Sequence, residues 1–454
     1  MSALAMILLQ LGYRVSGSDI KESRLTERLL SKGADIKFQH HPRNLDGCHL
    51  AIYSTAIPED NSEILEARRQ SMPLWHRSEL LAEMINSHYG IAVAGTHGKT
   101  TTTAMLSLLL EEGGLDPTAV IGGELNLFEG NARLGKGRCL VAEACESDNS
   151  FLRYHPRMML VTNIEADHLE NFNGDYEKLK EAYDLFISRI HPEGCLVLCG
   201  EDSLLWEKSL KLSGKVRTYG LEDYLSVHPN VQFDFTARDV CFKGMSSQFA
   251  VYSHEGHMVD VNLSVPGRHN VSNAVGAIAA AAELGVRLSE SVKALEKFTG
   301  AGRRFEVLGE AAGITVVDDY AHHPTEIKAT LQAASGCGSR RVFCIFQPHR
   351  YTRTGYFMAE YADSFGAADE LFLHSIYAAG ESPIEGVSAE ALAHMIEEKH
   401  ERSVYYGEKF AELVAAVLKK ASPGDMIITM GAGDIWKVGR HILEELSLGK
   451  KNST

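Results

Sequence analysis

The run Ala94-Gly95-Thr96-His97-Gly98-Lys99-Thr100-Thr101-Thr102-Thr103 joins an apolar stretch, Ile91–Ala94, to an amphipathic one that reads as a helix from Thr101 to Glu112. Glycines let backbone N–H groups turn toward a polyphosphate, and the helix start adds a favourable dipole. A lysine and a hydroxyl at this spacing can then reach the β/γ-phosphates and a divalent cation. Gly95, Thr96, His97, Gly98, Lys99, Thr100 and Thr101 are therefore candidates to hold ATP, with Thr100 a candidate ligand of Mg²⁺. Val93 stands where the full GxxxxGK[ST] pattern has its first glycine, so an incidental glycine turn is the competing reading.

Other chemistry-bearing groups also lie at the ends of apolar runs. Glu143 follows Cys139–Ala142, and His168 closes Thr162-Asn163-Ile164-Glu165-Ala166-Asp167-His168. A carboxylate and an imidazole near a phosphate loop can hold a second divalent ion. The whole run Glu143–Asp148 is acidic, and spacing alone does not single out one ligand. Asn270 and Asn273 stand one helical turn apart and can hydrogen-bond a base edge or a phosphate, or serve as caps. Arg303 and Arg304 can clamp a transferring phosphate or form a solvated surface pair. Asp319, Tyr320 and His322 end the run Ile314–Val317, and Arg350 and Arg353 follow Arg341–Phe346, where they can fork onto a carboxylate.

These groups need strands and helices to converge, and the chain supplies short apolar runs alternating with amphipathic stretches, the pattern of parallel sheets covered by helices. The expected fold class is α/β with three domains. Residues 1–83 read as a Rossmann-like unit, with a helix at Ala3–Leu11, a strand at Tyr13–Ser16, a helix at Leu25–Lys32 and a strand at Leu50–Ser54. Residues 84–300 read as a P-loop-type block with strands at Ile91–Ala94, Cys139–Ala142, Met158–Thr162 and Cys195–Cys199. Residues 301–454 read as a second Rossmann-like unit.

Composition sets the outer limits. The 454 residues carry 45 Lys and Arg against 60 Asp and Glu, a formal net charge of -15 that argues against a nucleic-acid backbone or an anionic membrane as main partner. The longest apolar stretch falls well short of the roughly 18 residues that span a bilayer, and the opening lacks the marks of a leader peptide. The eight cysteines form no CxxC pair, which suits free thiols in a reducing cytoplasm.

Taken in order, GTHGKTTTT, EACESD with TNIEADH, PGRHNVSNA, GAGRRF, DDYAHHPTE and FQPHRYTRT resemble the motif series of the Mur ligases, over essentially the whole chain. Within that family, QPHRYTRT is similar to the members that join L-alanine to UDP-N-acetylmuramate rather than to those that recycle a muropeptide. The resemblance implies a cytoplasmic, ATP- and Mg²⁺-dependent amide ligase of peptidoglycan synthesis, working through an acyl phosphate. It assigns Lys99 to the phosphates, Thr100 to one Mg²⁺, and Glu143 with His168 to a second. Asn270 and Asn273 fall on the adenine side, Arg304 at the γ-phosphate and Asp319 at the ribose. Tyr320, His322, Arg350 and Arg353 match positions near the incoming amino acid.

Two departures stand out. Cys145 replaces the Asp common in EADESD, and only Met1-Ser2 match the family's opening GxGGxGMS loop, so the UDP-binding domain is expected to lack its first strand and glycines. UDP contacts then fall to Ser18, Asp19, Ser54, Thr55, Ala56 and Arg77. A form that binds ATP but ligates poorly, and a noncatalytic nucleotide-binding scaffold, are the alternatives.

Overall fold

The computed structural model describes residues 1–128, 130–167, 169–256 and 258–451. The chain is an α/β protein and divides into two compact units, Met1–Thr236 with Val251–Val259 and Asn273–Leu295, and Ala237–Ala250 with Asp260–Ser272 and Glu296–Thr454.

In the first unit seven strands lie in the order Gly130–Arg133, Thr118–Leu125, Cys139–Glu143, Tyr89–Ala94, Met158–Val161, Cys195–Cys199 and Lys215–Leu221. All pair in parallel except the first two. The central strands are continuous apolar runs because helices cover both faces, and Ile91–Ala94, Leu140–Ala142 and Met158–Val161 have no exposed surface. Register then fixes the chemistry: Val93 lies opposite Glu143 and Ala94 opposite Val161, so the acid run and Thr162 arrive beside the loop after Ala94. The helix Lys99–Glu112 leaves that loop with every residue from Thr100 to Leu110 buried. Its N-cap is Gly98 at φ 82°, which has no side chain to occupy the first-turn N–H groups.

The N-terminal part of this unit holds two separate parallel pairs, Ser16–Ser18 with Asp35–Lys37 and Ala51–Tyr53 with Leu74–His76. The strand expected at Tyr13–Ser16 is displaced to Ser16–Ser18. Tyr13 is 64% exposed, and the backbone pairing with Asp35–Lys37 starts only at Ser16. The helix Ser2–Gln10 is held by burial of Ala3, Met6 and Ile7 against Leu29, Ala34 and Ala132.

In the second unit a six-stranded sheet has the order Glu306–Ala311, Ile314–Asp319, Met426–Met430, Val342–Phe346, Glu370–His374 and Val404–Gly407. Only the first pair is antiparallel. Asp319 and Phe346 both lie opposite Met430, and Phe346 lies opposite Leu373, so four strands finish level. Their carboxyl ends release Tyr320–His323, Gln347–Arg350, Ser375–Tyr377 and Gly431–Asp434 along one edge, where open α/β sheets place ligands. Among the described residues, no helix is long and apolar enough to cross a membrane.

Candidate active site

The loop after Ala94 is stitched from the neighbouring strand end. Asn163 O accepts Thr96 N–H (3.0 Å) and Asn163 Oδ1 accepts His97 N–H (2.9 Å), while Thr162 Oγ1 and Asn163 Nδ2 donate to His97 O at 2.6 and 3.1 Å. The His97 ring faces Glu165 at 3.6 Å. Gly95 has φ 132°, and a Cβ there would overlap Thr162 Oγ1; at Gly98 it would come within 2.5 Å of Asn273 Oδ1. The two glycines are thus required by backbone angle and by close approach. Asn273 stands against the loop, and Asn270, one turn earlier on the helix Arg268–Glu283, donates to Pro266 O at 2.7 Å.

Lys99 folds back over the loop. Its Nζ donates to Thr96 O (3.0 Å) and Gly95 O, and it meets both Glu146 oxygens at 3.0 and 2.9 Å. Burial alone would lower the ammonium's pKa; Glu146, with help from neighbouring groups, raises it above the ordinary lysine value instead. Thr100 Oγ1 donates to Glu143 Oε2 at 3.1 Å, and Glu143 Oε1 accepts Gly122 N–H. A hydroxyl and a carboxylate oxygen placed together form the donor set a hard divalent cation takes, so Thr100 and Glu143 fit Mg²⁺. His168 lies outside the described residues.

Sequence reasoning passed over three residues here. Glu146, Thr162 and Asn163 sit inside the recognised motifs but were given no role. Parallel pairing of the three strands puts them beside the loop, and only the register shows which acid of the run faces Lys99.

The candidate uridine contacts lie elsewhere in this unit. Ser18 Oγ donates to Glu63 Oε2 at 2.7 Å and lies 3.0 Å from His40 Nδ1, and Asp19 Oδ1 accepts Ile20 and Lys21 N–H. Ser54, Thr55 and Ala56 follow the strand Ala51–Tyr53, with Ser54 O accepting Ile57 N–H. Arg77 is bonded to Asp148 at 3.2 Å, at the end of the acid run.

In the second unit Arg303 and Arg304 separate in role. Arg303, at φ 57°, binds Asp318 (2.8 Å) and the carbonyls of Gly431 and Gly433 (2.6 and 3.2 Å), which makes it a structural tie. Arg304 reaches Glu326 at 3.4 Å and lies over the Tyr320 ring at 5.1 Å. Asp319 accepts Phe305 N–H and Ala321 N–H, each at 2.7 Å, and so fixes the segments carrying Arg304 and Tyr320. His322 Nδ1 lies 3.0 Å from Tyr320 O, and the rings of Tyr320 and His322 meet edge to face. Arg353, buried, approaches His349 Nδ1 at 3.3 Å, and His349 stacks on Tyr377. Arg350 sits at φ 67°, pinned by donation of its N–H to Tyr377 O, with Glu381 3.9 Å from its guanidinium. A non-glycine residue held in that region at a strand end marks strain retained for positioning.

Burial sets two opposed titrations in this unit. It pushes Asp319 up to about 6, against the pull of Arg304 and the two N–H donors, and pushes His269 down to about 4. A raised carboxyl contributes stability that is present below about pH 4 and lost as pH rises through about 6. A depressed imidazole contributes stability that is present above about 6.5 and lost as pH falls through about 4. Each is worth roughly 3 kcal/mol, so between pH 4 and 6.5 they nearly cancel. Asp319→Asn is therefore expected to gain stability with rising pH over that window, and His269→Gln to lose it, in denaturant midpoints read at several pH values. Identical pH slopes for the wild type and both variants would contradict the assignment.

Three family models match successive parts of the chain. Residues 1–89 match the "Mur ligase family, catalytic domain", residues 93–281 the "Mur ligase middle domain" and residues 303–433 the "Mur ligase, glutamate ligase domain". A protein of Geobacter sulfurreducens named UDP-N-acetylmuramate–L-alanine ligase is 46% identical over 447 residues, covering 98% of this chain and 95% of that one. The crystal structure of UDP-N-acetylmuramate-alanine ligase from Thermotoga maritima superposes with a TM-score of 0.82 at 28% identity, covering 100% of this chain and 97% of that one. A murein peptide ligase from Psychrobacter arcticus gives a TM-score of 0.71 at 26% identity, with 98% and 96% covered.

Proposed function

The chain belongs to the Mur ligase family, and from that premise we propose that it joins L-alanine to UDP-N-acetylmuramate with hydrolysis of ATP to ADP and phosphate. The observation that carries the substrate assignment is the 46% identity, over 98% of the chain, to a ligase of that named activity. The geometry supplies the chemistry. The division of labour follows the three blocks, with 1–83 for the UDP sugar, 84–300 for ATP and 301–454 for the amino acid.

The loop N–H groups and Lys99 bind and orient the triphosphate. Thr100 and Glu143, together with His168, are the residues that would hold Mg²⁺, which when bound supplies positive charge to the phosphate oxygens. The muramate carboxylate oxygen attacks the γ-phosphorus, the bond to the bridging oxygen breaks, and ADP leaves. Arg304 is assigned to the negative charge on the transferring group. The alanine amine then attacks the acyl carbon, and the tetrahedral intermediate collapses with loss of phosphate.

Alanine arrives as an ammonium and must lose a proton to react. Donation from His322 Nδ1–H to Tyr320 O leaves Nε2 as the basic nitrogen, so His322 is assigned as the proton acceptor. Asn270, Asn273 and Asp319 are retained as nucleotide-side residues, with Asp319 acting by fixing the backbone on either side of it. Ser18, Asp19, Ser54, Thr55 and Arg77 are proposed to face the UDP moiety.

Arg350 and Arg353 take the alanine carboxylate. Arg350→Ala is expected to raise the alanine KM by roughly 10- to 100-fold, the worth of one charge-assisted hydrogen bond, with the ATP KM unchanged. An unaltered response to alanine concentration would remove Arg350 from the acceptor site. The acyl-phosphate course is tested with carboxylate-¹⁸O-labelled UDP-N-acetylmuramate: one label should appear in inorganic phosphate for each amide formed, and unlabelled phosphate would refute it.

A further inference from the structure

We propose that Glu146 is a positioning residue of the nucleotide step, holding Lys99 in place before ATP binds and sharing it with the triphosphate afterwards. The inference rests on the reading of the Gly95–Thr101 loop as the ATP site. An ammonium has three N–H donors, and Lys99 meets four acceptor atoms: Gly95 O, Thr96 O and both Glu146 oxygens. All of its hydrogen-bonding capacity is therefore in use before a phosphate arrives. Both partners are withdrawn from water, with side-chain exposures of 14% for Lys99 and 1% for Glu146. Glu146 is brought there by a tight turn, in which Asn149 N–H donates to Glu146 O, directly after the strand paired with the one that feeds the loop.

Two consequences pull in opposite directions. The carboxylate occupies Lys99 N–H donors that an anionic nucleotide must take over, so it weakens binding. The same carboxylate fixes the direction of a long, flexible side chain, so it favours the geometry of transfer. A residue that only supported the fold would move both quantities in the unfavourable direction. Glu146 should split them.

Glu146→Gln keeps the shape and removes the charge. The ATP dissociation constant, measured by calorimetry without the other substrates, is expected to fall about 5- to 10-fold, while kcat falls by about 10-fold or more. Because the effect passes through Lys99, Glu146→Gln in a Lys99→Met background should leave the dissociation constant unchanged. Weakened ATP binding in the single variant, no change in either quantity, or an equal shift in the Lys99→Met background would each overturn the proposal.

Glu146→Asp retains the charge but withdraws it by one methylene, and it decides the matter if the Gln variant fails to fold. Its ATP affinity should stay near that of the wild type while kcat drops, and an unchanged kcat would overturn the proposal. Failure of the wild type to bind ATP at all would instead refute the loop assignment.

Discussion

Lys99→Met is expected to lower kcat for amide formation by about 10²- to 10³-fold, the usual loss when one preorganised positive donor is removed from a charge-stabilising site. Methionine keeps most of the side-chain volume, so the effect is electrostatic. Stability must be read alongside activity, because the substitution leaves Glu146, 1% exposed, without its counter-charge. Breaking a buried pair from one side typically costs about 3–5 kcal/mol. Lys99→Met combined with Glu146→Gln should recover most of that stability without recovering turnover. Measured melting temperatures and kcat values for the two single variants and the double variant separate the terms. Wild-type turnover in a folded Lys99→Met protein would remove Lys99 from the chemistry.

Gly95→Ala is expected to be nearly as damaging by a different route. An alanine would have to adopt φ 132°, and its Cβ would overlap Thr162 Oγ1. Thr162 cannot simply turn aside, since Oγ1 donates to His97 O and to Ala94 O, the bonds that hold the loop to the neighbouring strand. Backbone strain and the lost tie together should cost roughly 2–4 kcal/mol and displace the N–H groups proposed to face the phosphates. ATP affinity is expected to fall by at least about 10²-fold. At Gly98 the neighbour is the far end of the Asn273 side chain, which can move, so Gly98→Ala should be the milder of the two. Equal losses for both variants, or an unchanged ATP dissociation constant for Gly95→Ala, would contradict this account of the loop.

Much of this was legible from residue order alone, for definite reasons. The apolar runs ending at Ala94, Ala142, Val317 and Phe346 stop at turn-forming or charged residues, which locates the strand ends to within two residues, and strands buried on both faces show that signal strongly. The loop glycines follow from the backbone a phosphate site requires. What one dimension hides is lateral neighbourhood. Glu146 and Glu143 are three residues apart in one acid run, and only the pairing of Val93 with Glu143 decides that Glu143 meets Thr100 while Glu146 meets Lys99. Arg303 and Arg304 read as an equivalent pair, yet Arg303, at a positive φ, binds Asp318 and the Gly431 carbonyl while Arg304 reaches Glu326. The strand near Tyr13 was misplaced because three-residue pairs carry too few side chains for their alternation to be read.

The central claim is that this chain couples ATP cleavage to amide formation between UDP-N-acetylmuramate and L-alanine. The most direct test incubates the protein with ATP, Mg²⁺ and both acceptor substrates, then omits each in turn, measuring ADP and the UDP-linked amide by chromatography. The account predicts equimolar ADP and UDP-N-acetylmuramoyl-L-alanine in the complete mixture, and no amide when any one substrate is left out. ADP formed at the full rate without alanine, or no amide from the complete mixture, would contradict it.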